Sequence, residues 1–398
     1  MNCLNLRAIN KNSYEWWVVS LLALPVYFFI LIDNHPYVQF VCYLGYFLAL
    51  FATILSKKTL RIPKSFMIGW LFFLFLLFVP SYINYYSGRL ESELINLPVI
   101  AVKLFLLTSI LFVIIDWVTT LKPSQSFDFY RKLFIVIAPL SVVLILAILV
   151  PRLLYPDDIN YPTPYGMHHN YLGEILILFI FLATQLKEVF LKYLALFFGL
   201  LAVFYLSSRG TLLGVLVGLF FILIWPSIKK YPKQSLIVTC LLIASLPFTY
   251  SLIYELVDTL FLISSNTRGF EGGITGRWDQ YLQAISLIKD HWLLGVGFDA
   301  SIPFNFVGNG DYQIHNLFLR ILAENGIGLF ILVLAFISAA AINIERLNLN
   351  FERGCFYALI ALMMFQPRHI NLNLMCVFFY IIIIRSLYSK PYKVPKNG

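Results

Sequence analysis

The side chains in this sequence best suited to anion chemistry are a few arginines set in short polar stretches between long apolar runs. Arg209 sits in Ser207-Ser208-Arg209-Gly210, which must reverse the chain between two runs. Gly210 and the serines are expected turn chemistry there, but the arginine is not required by the turn. At the membrane boundary it either snorkels to lipid phosphates or holds a ligand phosphate at the same depth. Arg277 lies in Thr275-Gly276-Arg277-Trp278-Asp279-Gln280-Tyr281. Trp278, Tyr281, Leu282, Ile285, Ile288 and Trp292 then recur at helical spacing, with Gly295 and Gly297 after them. The pattern predicts an amphipathic helix lying in the interface, aromatic side down. Arg277 is expected at its N-terminal end, where free N–H groups already favour an anion.

A third stretch, Ile314-His315-Asn316-Leu317-Phe318-Leu319-Arg320, supplies a histidine. Its side chain suits proton transfer near neutrality, so His315 is the candidate general base. Arg320 and Glu324 are four apart and can pair on one helix face. Tyr165-Gly166-Met167-His168-His169-Asn170 forms a fourth stretch. No cysteine or carboxylate cluster accompanies its histidines, so His168, His169 and Asn170 are read as sugar or phosphate contacts and not as metal ligands. The five cysteines show no CxxC spacing and suggest neither a zinc site nor a disulfide framework.

Positioning these stretches falls to membrane helices. Of 398 residues, 60% are hydrophobic and only 12% charged, with a mean hydropathy of +0.82. A globule in water carries about twice that charge, so lipid must be much of the solvent. About twelve runs approach the roughly 20 residues a span needs: 16–32, 37–55, 66–83, 98–118, 133–151, 171–186, 189–206, 211–226, 235–254, 327–344, 354–366 and 370–388. The first reads as a retained helix and not as a removable signal peptide. The fold class is therefore an all-α integral membrane protein. Residues 1–254 hold nine spans, 255–326 form one long external segment with short amphipathic helices, and 327–398 hold three spans and a tail. Because 327–344 already spans a bilayer, the helix from His315 to Glu324 is expected to be separate, broken at Asn325-Gly326.

The basic residues orient the chain. Alternate loops carry 14 lysines and 6 arginines, which places both termini in the cytoplasm. The opposite loops carry one lysine, Lys289, and seven arginines: Arg89, Arg152, Arg209, Arg268, Arg277, Arg320 and Arg368. A planar guanidinium grips phosphate bidentately and stays charged in a partly dry site, so this outward face reads as selected for a phosphorylated ligand. Lys103, inside the fourth span, snorkels or adds an anion contact in the bundle. The net charge of +9 is explained by these loops and does not point to nucleic acid.

The four stretches, in this order, resemble the O-antigen ligase and O-antigen polymerase superfamily of bacterial polysaccharide enzymes. The resemblance rests on His168-His169-Asn170, then Ser208-Arg209-Gly210, then the Arg277 helix ending in Leu294-Gly295-Val296-Gly297. Last come His315-Asn316 with Leu319, Glu324 and Gly326. It implies a GT-C-like, metal-independent glycosyltransferase without cofactor, using undecaprenyl-diphosphate-linked glycan as donor. Arg209 and Arg277 would bind the donor diphosphate and His315 would assist the acceptor hydroxyl. His168, His169, Asn170, Asn316, Arg320, Lys103 and Arg152 are candidate substrate contacts. The activity implied first is O-antigen ligation onto lipid A–core at the periplasmic face of a Gram-negative inner membrane. Polymerisation, with a second lipid-linked glycan as acceptor, uses the same donor chemistry. A transporter would place ionisable residues near the midplane of several helices, which this sequence does not do.

Overall fold

The computed structural model describes residues 62–86, 126–154, 169–206, 208–234, 270–297, 314, 316–364 and 374–388, with isolated positions at 16, 51 and between 105 and 118. Among them the chain is helical and has no strand. The principal helices are α1 (Lys64–Tyr86), α2 (Ser126–Leu154), α3 (His169–Ala183), α4 (Val189–Tyr205) and α5 (Arg209–Leu219). A π-helical turn, Phe220–Ile224, leads into α6 (Trp225–Lys230). There follow α7 (Phe270–His291), α8 (Leu317–Leu347), α9 (Asn350–Met363) and α10 (Leu374–Tyr388).

Three stretches are long and apolar enough to cross a membrane: Asp128–Pro151, Gly210–Lys230 and Leu317–Leu347. The shorter apolar helices Lys64–Val79, Leu172–Ala183 and Val189–Tyr205 coincide with further expected spans. The spans expected at 16–32, 37–55, 98–118 and 235–254 lie wholly or largely outside the described residues. Large apolar side chains such as Ile68, Phe75, Phe190, Phe197, Leu216 and Ile342 remain exposed on the bundle, as lipid-facing surface requires.

The axis of the bundle is α3. Every residue from Leu172 to Thr184 is buried, the signature of a helix apolar all round. Around it pack α2, α4, α5 and α10. Close approach depends on glycines. A Cβ on Gly173 would meet Thr211 Oγ1 at 2.1 Å, and one on Gly218 would meet the Phe181 ring at 2.0 Å. On the other side of α5, Gly214 abuts Leu362 of α9, and Gly354 of α9 abuts Ile222 and the Gly218 carbonyl. Gly210, Gly214 and Gly218 repeat every four residues, the small-residue spacing that lets membrane helices meet backbone to backbone. Just beyond, Pro226 has no N–H to give to the helical ladder, which accounts for the widened π turn before it.

Ion pairs gather at one end of the bundle. Arg131 at the start of α2 pairs with Glu188 before α4 at 3.3 Å. Lys229 of α6 and Arg353 of α9 each reach Glu345 near the end of α8 at 2.6 Å. Fully buried Arg353 also donates to Asn350 Oδ1 and Asn348 Oδ1. Deeper, Tyr130 Oη donates to Glu352 Oε1 at 2.9 Å, and Arg385 Nη1 donates to Tyr130 Oη at 3.4 Å. Arg385 Nε lies 2.9 Å from the same carboxylate, close enough for charge pairing though not aligned as a hydrogen bond. These contacts fix the helix directions. The helices α3, α5 and α8 all run towards the ion-paired end and begin at the opposite one.

Removing one member of this cluster leaves its partner charged and buried. Glu352→Ala strands Arg385 and is expected to cost about 3–5 kcal/mol. Tyr130→Phe, which removes a single hydroxyl, is expected to cost about 0.5–1.5 kcal/mol. Thermal unfolding in detergent micelles compares the two, with the larger fall in midpoint for Glu352→Ala.

Candidate functional site

At the end where α3, α5 and α8 begin, the sequence motifs come together in two pairs. The first joins α3 to α5. Ser208 caps α5, its Oγ accepting from Thr211 N–H at 3.4 Å and from Thr211 Oγ1 at 2.7 Å. Both residues are buried. Because Thr211 packs against Gly173, the starts of α3 and α5 lie side by side, with His169 and Asn170 opening one and Arg209 opening the other. Free backbone N–H groups of two helices thus occur together, a setting that favours an anion. Chain reversal is tighter than the expected Ser207–Gly210 turn. Helix α4 ends at Tyr205 with Leu206 as its C-cap, and Arg209 and Gly210 are already helical. Capping by Ser208 accounts for the early start.

The second pair joins α7 to α8, and its contacts are made by backbone. Three residues cross between the turn after α7 and the middle of α8. Val296 N–H donates to Ala323 O at 2.9 Å, Gly297 N–H to Glu324 O at 2.8 Å, and Ile327 N–H to Trp292 O at 2.9 Å. Gly326, at φ 71 and ψ −174, breaks α8 where the sequence predicted a break. The break frees the backbone groups that the α7 turn takes up. Gly295 (φ +70) and Gly326 (φ +71) leave no room for a side chain. A Cβ on the first would stand 2.3 Å from the Glu324 carbonyl, and one on the second 2.2 Å from Leu293 O. The motif glycines of both stretches therefore form one clasp. Above it, Ala284 of α7 clusters with Ile314 and Ala323, flanked by Leu287, Ile288 and Leu319.

Helix α7 begins at Phe270, so Arg277 stands in its third turn and not at its N-terminus. The expectation that free N–H groups there assist Arg277 is therefore corrected. Gly272, Gly273 and Gly276 lie within the helix, where a glycine costs only about 1 kcal/mol. The exposed apolar edge of α7 is also narrower than expected. Leu282, Ile285 and Trp292 are exposed, while Ile288 turns towards α8.

Each candidate residue can now be placed. Asn316 caps α8, its Oδ1 accepting from Leu319 N–H at 3.1 Å. Arg320 Nε pairs with Glu324 Oε1 four residues on, both side chains being buried. Arg320 is thus held within α8 by Glu324. Arg209, Arg277, Arg152, His169 and Asn170 have helical backbone, but their side chains lie outside the described residues, as do His315, His168 and Lys103 altogether. Among the described residues no group of His, Cys, Asp and Glu gathers as a metal site. Sequence reasoning missed the glycine clasp as a single unit. It also missed the buried carbonyl oxygens of Gln280 and Gln283 and the buried amide of Asn325, which have no hydrogen-bond partner among the described residues.

Packing in the half of the bundle nearer these helix starts links the two pairs. Leu362 of α9 touches Gly214 of α5, and the next residue, Met363, packs with the cluster of Leu77, Leu317, Ile321 and Leu329. The result, among the described residues, is an all-helical membrane protein in which the starts of α3, α5 and α8 lie opposite its buried ion pairs. Residues 194–334 match the family described as O-Antigen ligase, which supports the superfamily recognised in the sequence. The matched stretch runs from α4 into α8 and includes Arg209, Arg277, His315, Asn316 and Arg320. His168, His169, Asn170, Lys103 and Arg152 fall before it. No curated protein matches the chain.

The clasp makes a local prediction. Gly295→Ala and Gly326→Ala should each open the junction, so that limited proteolysis cuts between 292 and 297 in membranes where the wild type resists. Gly328→Ala is the control, since a Cβ there meets only Leu76 Cδ2 at 3.5 Å. It should leave the resistance unchanged.

Proposed function

We propose that the chain is an O-antigen ligase, a membrane-embedded glycosyltransferase that moves O-polysaccharide from undecaprenyl diphosphate to lipid A–core. The observation that carries this reading is the O-Antigen ligase match over 194–334. The same stretch contains the Ser208-capped helix start and the clasped α7–α8 pair. The reaction takes place at the periplasmic face of a Gram-negative inner membrane, with both termini cytoplasmic. The ion-paired, lysine-rich end of the bundle is then the cytoplasmic end.

In this reading Arg209, at a helix start beside the start of α3, and Arg277, in the third turn of α7, hold the donor diphosphate. An acceptor sugar hydroxyl attacks the anomeric carbon as the carbon–oxygen bond to the diphosphate breaks. Undecaprenyl diphosphate departs with the bonding pair, its growing charge met by the two arginines. The hydroxyl proton passes to His315 and then to water. Asn316 fixes the helix start next to His315, and the Arg320–Glu324 pair keeps a second cation of that helix compensated. His168, His169, Asn170, Lys103 and Arg152 are candidate substrate contacts around this centre. No cofactor enters the scheme.

Arg209→Ala and Arg277→Ala are each expected to lower glycan transfer by about a hundredfold or more at normal protein level. His315→Ala should lose about 10²–10⁴-fold. Full transfer by both arginine variants would remove the diphosphate assignment. The lipopolysaccharide of a deletion strain tests the acceptor. Lipid-linked polymer that accumulates without reaching core is the ligase result, while core bearing a single repeat unit would assign a polymerase.

A further inference from the structure

Gln280 and Gln283 carry carbonyl oxygens that are closed off from solvent and accept no hydrogen bond among the described residues. Gln280 is only 6% exposed. A buried polar atom without a partner is costly, and native folds keep few of them. Both glutamines are on α7, where a leucine would be the stabilising choice. By helical register Gln280 is one turn before Ala284, the residue that packs with Ile314 and Ala323 beside the start of α8. It is also one turn after Arg277. Residues three apart on a helix have Cβ atoms about 5–6 Å apart, comparable to the step from a diphosphate to the first sugar ring attached to it.

We infer that Gln280 and Gln283 form a subsite for the hydroxyls of the sugar that is joined directly to the donor diphosphate. This rests on the donor reading above and extends it from the phosphate to the glycan. The chemistry of the orphan atoms selects the ligand class. Carbonyl oxygens accept from hydroxyl groups and repel phosphate oxygens, so a neutral, hydroxyl-rich ring fits where a second phosphate does not. Both glutamines precede the clasp, in turns of α7 that no backbone hydrogen bond ties to α8 among the described residues.

The test compares two lipids on the full chain in nanodiscs: undecaprenyl diphosphate carrying its glycan, and bare undecaprenyl diphosphate. Gln280→Leu and Gln283→Leu should each weaken binding of the glycan-bearing lipid about tenfold or more. Affinity for the bare lipid should stay unchanged. The melting temperature should hold or rise, since an unpaired oxygen has been replaced by apolar surface. If Gln280→Leu lowers it, Gln283→Leu at the less enclosed position carries the comparison alone. Unchanged affinity for the glycan-bearing lipid in both variants overturns the subsite. An equal loss for both lipids also overturns it, assigning the glutamines to the diphosphate or the fold. If the wild type binds neither lipid, the donor reading itself fails and the subsite fails with it.

Discussion

Three backbone hydrogen bonds between the turn at Trp292–Gly297 and the break in α8 at Ala323–Ile327 decide how the motif-bearing half of the chain is arranged. Each partner leaves groups unsatisfied that the other can take up. A helix broken at Gly326 exposes carbonyls of its preceding turn, and a helix that stops at His291 needs its following N–H groups paired. Backbone contact this close excludes side chains, so Gly295 and Gly326 are fixed by geometry before any chemistry is considered. This junction ties the end of α7 to the first turns of α8.

The two ends of the bundle differ in the polar groups they hold. At the ion-paired end charges satisfy one another: Arg353 with Glu345, Asn348 and Asn350, and Arg385 with Glu352 and Tyr130. Such closed networks hold helices in position and offer little to a ligand. At the end where α3, α5 and α8 start lie the carbonyl oxygens of Gln280 and Gln283 and the amide of Asn325, without a hydrogen-bond partner among the described residues, as are Trp225 Nε1 and Arg385 Nε at the other end. The glycine crossings of α5 with α3 and α9 connect the two ends, since α5 runs from Arg209 to the turn that presents Lys229.

Much of this was legible in the residues. Apolar runs located α1, α2, α4 and α8, and the arithmetic of an 18-residue span before Arg346 required the break that Gly326 makes. The Arg320–Glu324 pair followed from four-residue spacing. Local reading fails at two helix starts. Gly210, expected as turn chemistry, is helical, and the helix expected to open at Thr275–Arg277 already begins at Phe270. The clasp joins residues about thirty apart, and no periodicity reports which backbone groups meet across that distance. Nothing in the spacing of α7 marks Gln280 as a buried residue; its 6% exposure does.

Amide hydrogen exchange on the protein in nanodiscs, followed in parallel with glycan transfer, bears most directly on the clasp. If it organises the site, the amides of Val296, Gly297 and Ile327 exchange slowly in active protein. They should lose that protection together with transfer when the junction is opened. Rapid exchange at all three amides in protein that transfers glycan at the full rate would contradict the account.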